Sequence, residues 1–226
     1  MLILSLDSSA KPSSVAVCKD GALLGQYFQN SGLTHSRTLL AMAEALLKNL
    51  DLNVNDIDLI AVSKGPGSFT GVRIGVAASK GLAFGADKPV CGVSTLEAMA
   101  HQTPETDCII CAAMDARRNQ VYNALFHRQD GALIRLCEDR ALSLDDLAAD
   151  LKNYNDTVYI VGDGAKLAYD YLILTDVSCK LAPELMRYQT AFGVAMAALH
   201  IEPTTAVELE PSYLRPSQAE RERAQS

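Results

Sequence analysis

The chain has 226 residues and a mass of 24.3 kDa, enough to bury one large core or two modest ones. With 49% hydrophobic and 21% charged residues, it falls outside the disordered and fibrous classes. A net charge of −7 excludes sequence-independent nucleic-acid binding by this chain alone, since phosphate contacts need clustered Lys and Arg.

The opening "MLILSLDSS" has no basic flank and its apolar run stops at Asp7, which reads as no signal peptide and predicts a cytoplasmic protein. Apolar runs such as "CIICAAM" fall short of the roughly 20 residues of a membrane helix, so no membrane role is expected. Six cysteines sit mostly in strand-like contexts and read as reduced core residues. In "CIIC" the two thiols are three apart on a strand and point to opposite faces, which excludes one shared metal or redox site.

Taken in order, an apolar strand ends at Asp7, a second covers Val15 to Cys18, and a "KDG" turn leads to a third. From His35 to Leu50 the periodicity predicts a helix with Thr34 as N-cap and Leu39, Leu40, Ala43, Leu46, Leu47 and Leu50 on one face. A buried strand "IDLIAVS", a glycine-rich loop, a helix near Arg73 to Gly85, a strand "KPVCGVS" and a helix opening at Ser94 or Thr95 follow. This alternation implies parallel neighbours.

The block from Cys108 to Leu136 then repeats the opening layout, with a strand ending at Asp115 and the tetrapeptide "DGAL" at the same turn in both copies. Helix "LDDLAADLKNY", strand "TVYIVGDGA" and helices near Lys166 to Leu172 and Ala191 to Leu199 complete the second copy. The predicted plan is α/β and duplicated, each lobe a β-meander followed by αβα units. The lobes span 1–103 and 104–226, the boundary falling near Pro104, with the last helix and tail packing back on the first lobe.

"SKGPGSFTGVRIG" fits neither a P-loop nor a dinucleotide fingerprint, since Thr70 stands where each pattern needs glycine or a later residue is displaced. It remains a strand-to-helix turn, either structural or an anion contact through Ser68, Thr70 and Arg73. In folds built from two meander lobes, each first hairpin carries an Asp with a nearby glycine for phosphate. Here Asp7 and Asp115 occupy those places, but "DSSA" and "DARR" lack the glycine. Asp7, Ser8, Gly65, Gly67, Asp115, Gly162 and Gly164 are therefore read as a vestigial nucleotide site, against the alternative that the carboxylates only satisfy turn amides.

Together "GPGSFTGVRIG", "DARRNQVYNALF", "GDGA" and "PSYLRP" resemble the bacterial TsaB (YeaZ) family over nearly the whole chain. The resemblance implies an actin-like (ASKHA, RNase H-like) fold. It also implies a role as accessory subunit in synthesis of threonylcarbamoyladenosine next to the tRNA anticodon. The implied partners are the catalytic paralogue TsaD and the ATPase TsaE, with a homodimer in their absence and tRNA reached only through the complex. Where the paralogue carries two metal-binding histidines, this chain has Thr95 and Met99, which are not metal ligands; the four histidines include no pair at ligand spacing. No cofactor is expected on this chain alone, and a subunit interface is where ATP or ADP could sit.

The helix from His35 carries few charges, and "RIGVAASKGLAFG" offers small residues, so the outer faces of both helices are read as the partner surface. Leu39, Met42, Leu46, Arg73, Val76 and Ala77 are expected there. Two other readings stand beside this scaffold. One is a stand-alone actin-like ATPase or small-molecule kinase using Asp7, Asp115, Gly162 and Gly164 around ATP and Mg²⁺. The other is a glycoprotease-like metallopeptidase, which needs a metal set that these residues do not supply.

Overall fold

A strand whose two faces are both apolar needs cover on both sides, and this dictates the architecture. In β1 (Leu2–Asp7), Leu4 and Leu6 enter one cluster while Ile3 enters another on the opposite face. A computed structural model of the chain describes residues 1–103 and 107–215. In it β1, β2 (Ser13–Lys19), β3 (Ala22–Gln29), β4 (Leu59–Gly65) and β5 (Val90–Ser94) form a sheet of order β3-β2-β1-β4-β5. Strands β1 to β3 run antiparallel, while β4 and β5 join parallel through α1 (His35–Asn49) and α2 (Phe69–Ala86).

The second sheet repeats this order. It contains β6 (Cys108–Asp115), β7 (Gln120–Gln129), β8 (Ala132–Arg135), β10 (Val158–Val161) and β11 (Cys179–Leu181) as β11-β10-β6-β7-β8, with β9 (Arg140–Ser143) beside β7. Both "DGAL" turns are two-residue hairpins in which Asp and Gly have positive φ: Asp20 +51° and Gly21 +83°, Asp130 +50° and Gly131 +78°. That mirror-image turn matches strand twist, and Asp-Gly is among the pairs that adopt it most readily.

Each lobe borrows a helix from the other half of the chain. Beyond α3 (Thr95–His101) come α4 (Leu144–Leu151), α5 (Ala165–Leu172), the short α6 (Glu184–Arg187) and α7 (Ala191–Ala198). One face of the first sheet is covered by α1 and α2, and the other by α7, whose Ala191, Val194, Ala195 and Ala198 pack on Ile3, Ala16 and Ala61. The second sheet is covered by α4 and α5 on one side and on the other by α3, whose Leu96 and Met99 meet Ile110 and Phe126. Cutting the chain near Pro104 therefore separates the sheets but not the helices. The expected boundary near Pro104 falls on 104–106, and the polar end of the chain beyond Arg215 on 216–226; both are outside the described residues.

Several elements differ from expectation. Helix α2 starts at Phe69, four residues before Arg73, because Ser68 Oγ accepts from the Gly71 N–H and caps a first turn whose glycines read as loop. Thr34 is the N-cap of α1 but makes no side-chain cap bond. Leu40 is 47% exposed: it stands about 100° round from Leu39, at the edge of the buried stripe Leu39, Ala43, Leu46 and Leu47. Strands β9 and β11 and helix α6 are too short to announce themselves by periodicity.

Cys108 and Cys111 enter different clusters on opposite faces of the second sheet, as their spacing requires. Burial pushes the thiols of Cys18, Cys91 and Cys111 up to about 11, 11 and 12, which leaves them inert at neutral pH. Among the described residues no helix is long and apolar enough to cross a membrane.

Candidate functional site

Glycine lacks a Cβ, and what occupies that vacated space tells what the glycine is for. In the β4–α2 loop the space is filled by the chain itself. A Cβ on Gly67 would lie 2.3 Å from the Ser9 carbonyl oxygen, and one on Gly71 would lie 2.1 Å from that of Ser8. The loop is pressed onto the β1–β2 turn and bonded there: Ser68 N–H donates to Ser9 C=O at 2.6 Å, and Ser8 Oγ donates to Gly71 C=O at 2.8 Å. Gly65, at φ +117°, makes way for the Ser212 carbonyl, 2.2 Å from where its Cβ would be.

The second lobe repeats the device. Gly162, at φ +110°, faces the Ala113 carbonyl oxygen, 1.9 Å from its would-be Cβ, and Gly164 faces the Asp115 amide nitrogen at 2.6 Å. Both glycine turns thus clamp the end of their lobe's first strand.

The two aspartates serve those same turns. Asp7 Oδ1 accepts from Ser9 N–H at 2.9 Å and Ser9 Oγ at 2.8 Å, and Oδ2 accepts from Ser63 Oγ. Asp7 is 1% exposed, and burial raises its pKa although these three donors pull it down. Asp115 Oδ1 makes the equivalent bond to Arg117 N–H at 2.7 Å but is exposed.

Between the lobes lies a cleft of about 600 Å³. Of the residues read as a vestigial nucleotide site, Gly67 and Asp115 line it, and Asp7, Ser8, Gly65, Gly162 and Gly164 do not; of the candidate anion contact, Ser68 and Thr70 line it and Arg73 does not. Its other polar groups include Lys11, His35, Arg117 and Asp163. His35 Nε2 donates to Ala10 C=O at 2.8 Å, which leaves Nδ1 a bare acceptor, buried without a partner.

Asp163 is the titratable group that sequence reasoning passed over, although it stands inside the quoted "GDGA". Burial pushes its pKa up to about 6, with the Asp115 and Asp7 charges acting the same way and a 2.8 Å bond from Gln189 Nε2 opposing them. Thr95 and Met99 are wholly buried in the core. Among the described residues no three His, Cys, Asp or Glu side chains are grouped to hold a metal ion.

The expected partner surface is corrected in part. Leu39, Leu46 and Val76 are 1%, 3% and 4% exposed and pack in the first lobe's own core, because each faces the sheet from its helix. Gly75 and Ser79 also point inward, the former toward Ser8 Oγ. Met42 is half-buried, while Arg73 and Ala77 are exposed. The outward apolar residues are instead Leu40, Ala41 and Ala45 on α1 and Ala77, Gly81 and Phe84 on α2, with Phe84 64% exposed.

Two meander lobes with this strand order, exchanged helices and a cleft between them define a protein of the actin-like (ASKHA) class, here with its glycine turns filled by its own backbone. The family model described as TsaD, tRNA N6-adenosine threonylcarbamoyltransferase, matches residues 29–215. The tRNA threonylcarbamoyladenosine biosynthesis protein TsaB of Bacillus subtilis is 34% identical, over 74% of this chain and 73% of its own. That of Haemophilus influenzae is 33% identical, over 95% of this chain and 94% of its own. The solved structure of YeaZ from Pseudomonas aeruginosa superposes with a TM-score of 0.80 at 27% identity, covering 94% of this chain and 99% of that one. The chain belongs to the TsaB (YeaZ) family.

Proposed function

We propose that this chain is a non-catalytic scaffold subunit in the cytoplasmic synthesis of threonylcarbamoyladenosine on tRNA. It seats the catalytic paralogue TsaD on the outer face of α1 and α2 and offers a docking surface to the ATPase TsaE. The relatives' role in tRNA threonylcarbamoyladenosine biosynthesis supports the pathway. The observation that carries the scaffold reading is the outer face of α2. Along it stand the exposed Ala77, Gly81 and Phe84; Arg73, one turn before Ala77, is held by Tyr213, and Lys80, at its side, is turned back onto the carbonyls of Val207 and Leu209.

Small residues flanking one projecting ring let a second helix approach closely, and exposed apolar surface of this kind marks an interface. An interface of about 1,600 Å² is of the size such a complex needs. The same surface would hold two copies of the chain together when TsaD is absent.

The test is reconstituted tRNA modification by the paralogue and the ATPase, with and without this chain, alongside Leu40→Glu and Phe84→Glu. Both residues are solvent-exposed, so the variants should fold while losing at least about tenfold in partner affinity and stimulation. An undiminished rate without the chain would remove the scaffold reading. The rival, a stand-alone ATPase, rests on the cleft with Asp115 and Asp163, and predicts tight ATP–Mg²⁺ binding and turnover by the isolated chain.

A further inference from the structure

After α7 the chain runs back over the first lobe and is fastened repeatedly. Val90 and Thr204 exchange N–H···O bonds of 2.9 and 2.7 Å. Lys80 Nζ, on α2, donates to Val207 C=O at 3.3 Å and Leu209 C=O at 2.9 Å. Ser212 N–H donates to Lys64 C=O at 2.6 Å, in the position that only glycine at 65 permits. Arg73 Nε donates to Tyr213 Oη at 2.8 Å; the Tyr213 ring lies 4.7 Å from Phe69, over which the Arg73 guanidinium sits at 3.8 Å.

Two residues later the chain has crossed to the other lobe. Arg215 Nη1 donates to Ala116 C=O at 3.3 Å and Nη2 to the Gln120 side-chain oxygen, with the guanidinium 5.7 Å from the Tyr122 ring. Ala116 and Gln120 close the β6–β7 turn, joined by a 3.0 Å bond from Ala116 N–H to Gln120 C=O. Between them Arg117, Arg118 and Asn119 all have positive φ, +67°, +55° and +56°. Three successive non-glycine residues in that region persist only where neighbours hold the turn. Asp115 holds it from one side and Arg215 from the other.

We propose that residues 204–215 are a strap coupling α2 to the second lobe's β6–β7 turn across the cleft, with Tyr213 and Arg215 as its positioning residues. Arg73 and Phe69 set Tyr213; Tyr213 sets Arg215; Arg215 sets the turn and, because Ser212, Tyr213, Leu214 and Arg215 line the cleft, its width. Arg73 is exposed on the helix assigned above to partner docking, so a partner engaging it draws on the same guanidinium that holds Tyr213. That last link rests on the docking reading; the strap itself does not.

Hydrogen exchange on the isolated chain tests the strap. Arg215→Ala removes two charge-assisted bonds to the turn and Tyr213→Ala the one from Arg73 that sets Arg215, so in both variants amides of the 115–121 turn should exchange at least about tenfold faster. Arg215→Lys should behave like Arg215→Ala, because one ammonium cannot reproduce the fork to both acceptors. The β2–β3 turn at Asp20 and Gly21 is the control. Exchange at 115–121 that stays at the wild-type rate in Tyr213→Ala, or that rises equally in the control turn, overturns the coupling. If Tyr213→Ala loosens the turn but added TsaD leaves it unchanged, the docking link fails and the strap stands.

Discussion

Replacing Asp163 by Asn should stabilise the protein, and by an amount that depends on pH. The native carboxyl titrates at about 6 against an ordinary value of 3.8, chiefly because of its burial at the cleft. Above pH 6 it is ionised in both states, and the native state bears the full desolvation. Between 6 and 3.8 the native state is protonated and the unfolded state is not, so the native state binds more protons and stability rises as pH falls.

The gap is about two pH units, at most about 3 kcal/mol at 1.36 kcal/mol each, and about 1–3 kcal/mol once partial solvent access is allowed for. The neutral amide removes that cost and can still accept from Gln189 Nε2. It also brings a donor near Gln189 Oε1, which is buried without a partner. Urea unfolding should therefore place Asp163→Asn above wild type by about 1–3 kcal/mol at pH 7.5, shrinking to about a third of that at pH 4.5. A difference that is flat across this range, or a variant less stable than wild type at pH 7.5, refutes the reasoning.

His101 should act in the opposite direction. It stacks on His200 at 5.5 Å, and burial, then His200 and Arg128, lower its pKa to about 4, so below 6.5 the unfolded state gains a proton that the native state refuses. Stability is then lost as pH falls through this window, and His101→Gln should recover up to about 2 kcal/mol of the wild-type loss between pH 7.5 and 5 in the same unfolding assay. Two glycines should answer oppositely to alanine. Gly162→Ala drives a methyl onto the Ala113 carbonyl at 1.9 Å and should cost more than about 4 kcal/mol or abolish soluble expression. Gly81→Ala meets nothing within 4 Å and should raise thermal stability by about 0.5–1 kcal/mol while weakening partner association.

Much of the fold was legible because local signals agreed with it. The paired "DGAL" turns, the apolar strands ending at Asp7 and Asp115, and the stripe on α1 all follow from periods and turn chemistry that single residues report. Which side of a helix faces its own sheet was less legible where both sides are apolar: Leu39 and Leu46 on α1 and Val76 on α2 read as surface because α1 has few charges and α2 carries small or apolar residues over most of its circumference. The return of α7 to the first lobe was expected, but the crossing of α3 to the second sheet leaves no trace in local pattern, since that helix is simply hydrophobic. The roles of Tyr213 and Arg215, quoted from sequence only within "PSYLRP", were not legible because they gain meaning from Arg73 and Ala116, far away in sequence.

The aspartates and glycines show why a nucleotide motif is ambiguous until its surroundings are known. A missing Cβ admits a phosphate or a carbonyl equally well, and a carboxylate at a strand end can hold a cation or a turn. For a phosphate to take the space beside Gly67 and Gly71, the Ser8–Ser9 turn would have to leave. That breaks the Ser68–Ser9 and Ser8–Gly71 bonds and strips two donors from the buried Asp7. Four such bonds at about 0.5–1.5 kcal/mol each amount to about 2–6 kcal/mol, which lowers affinity by roughly 30-fold to 10⁴-fold. The turn therefore competes with any nucleotide for the same few cubic ångströms, and it does so covalently tethered to its site.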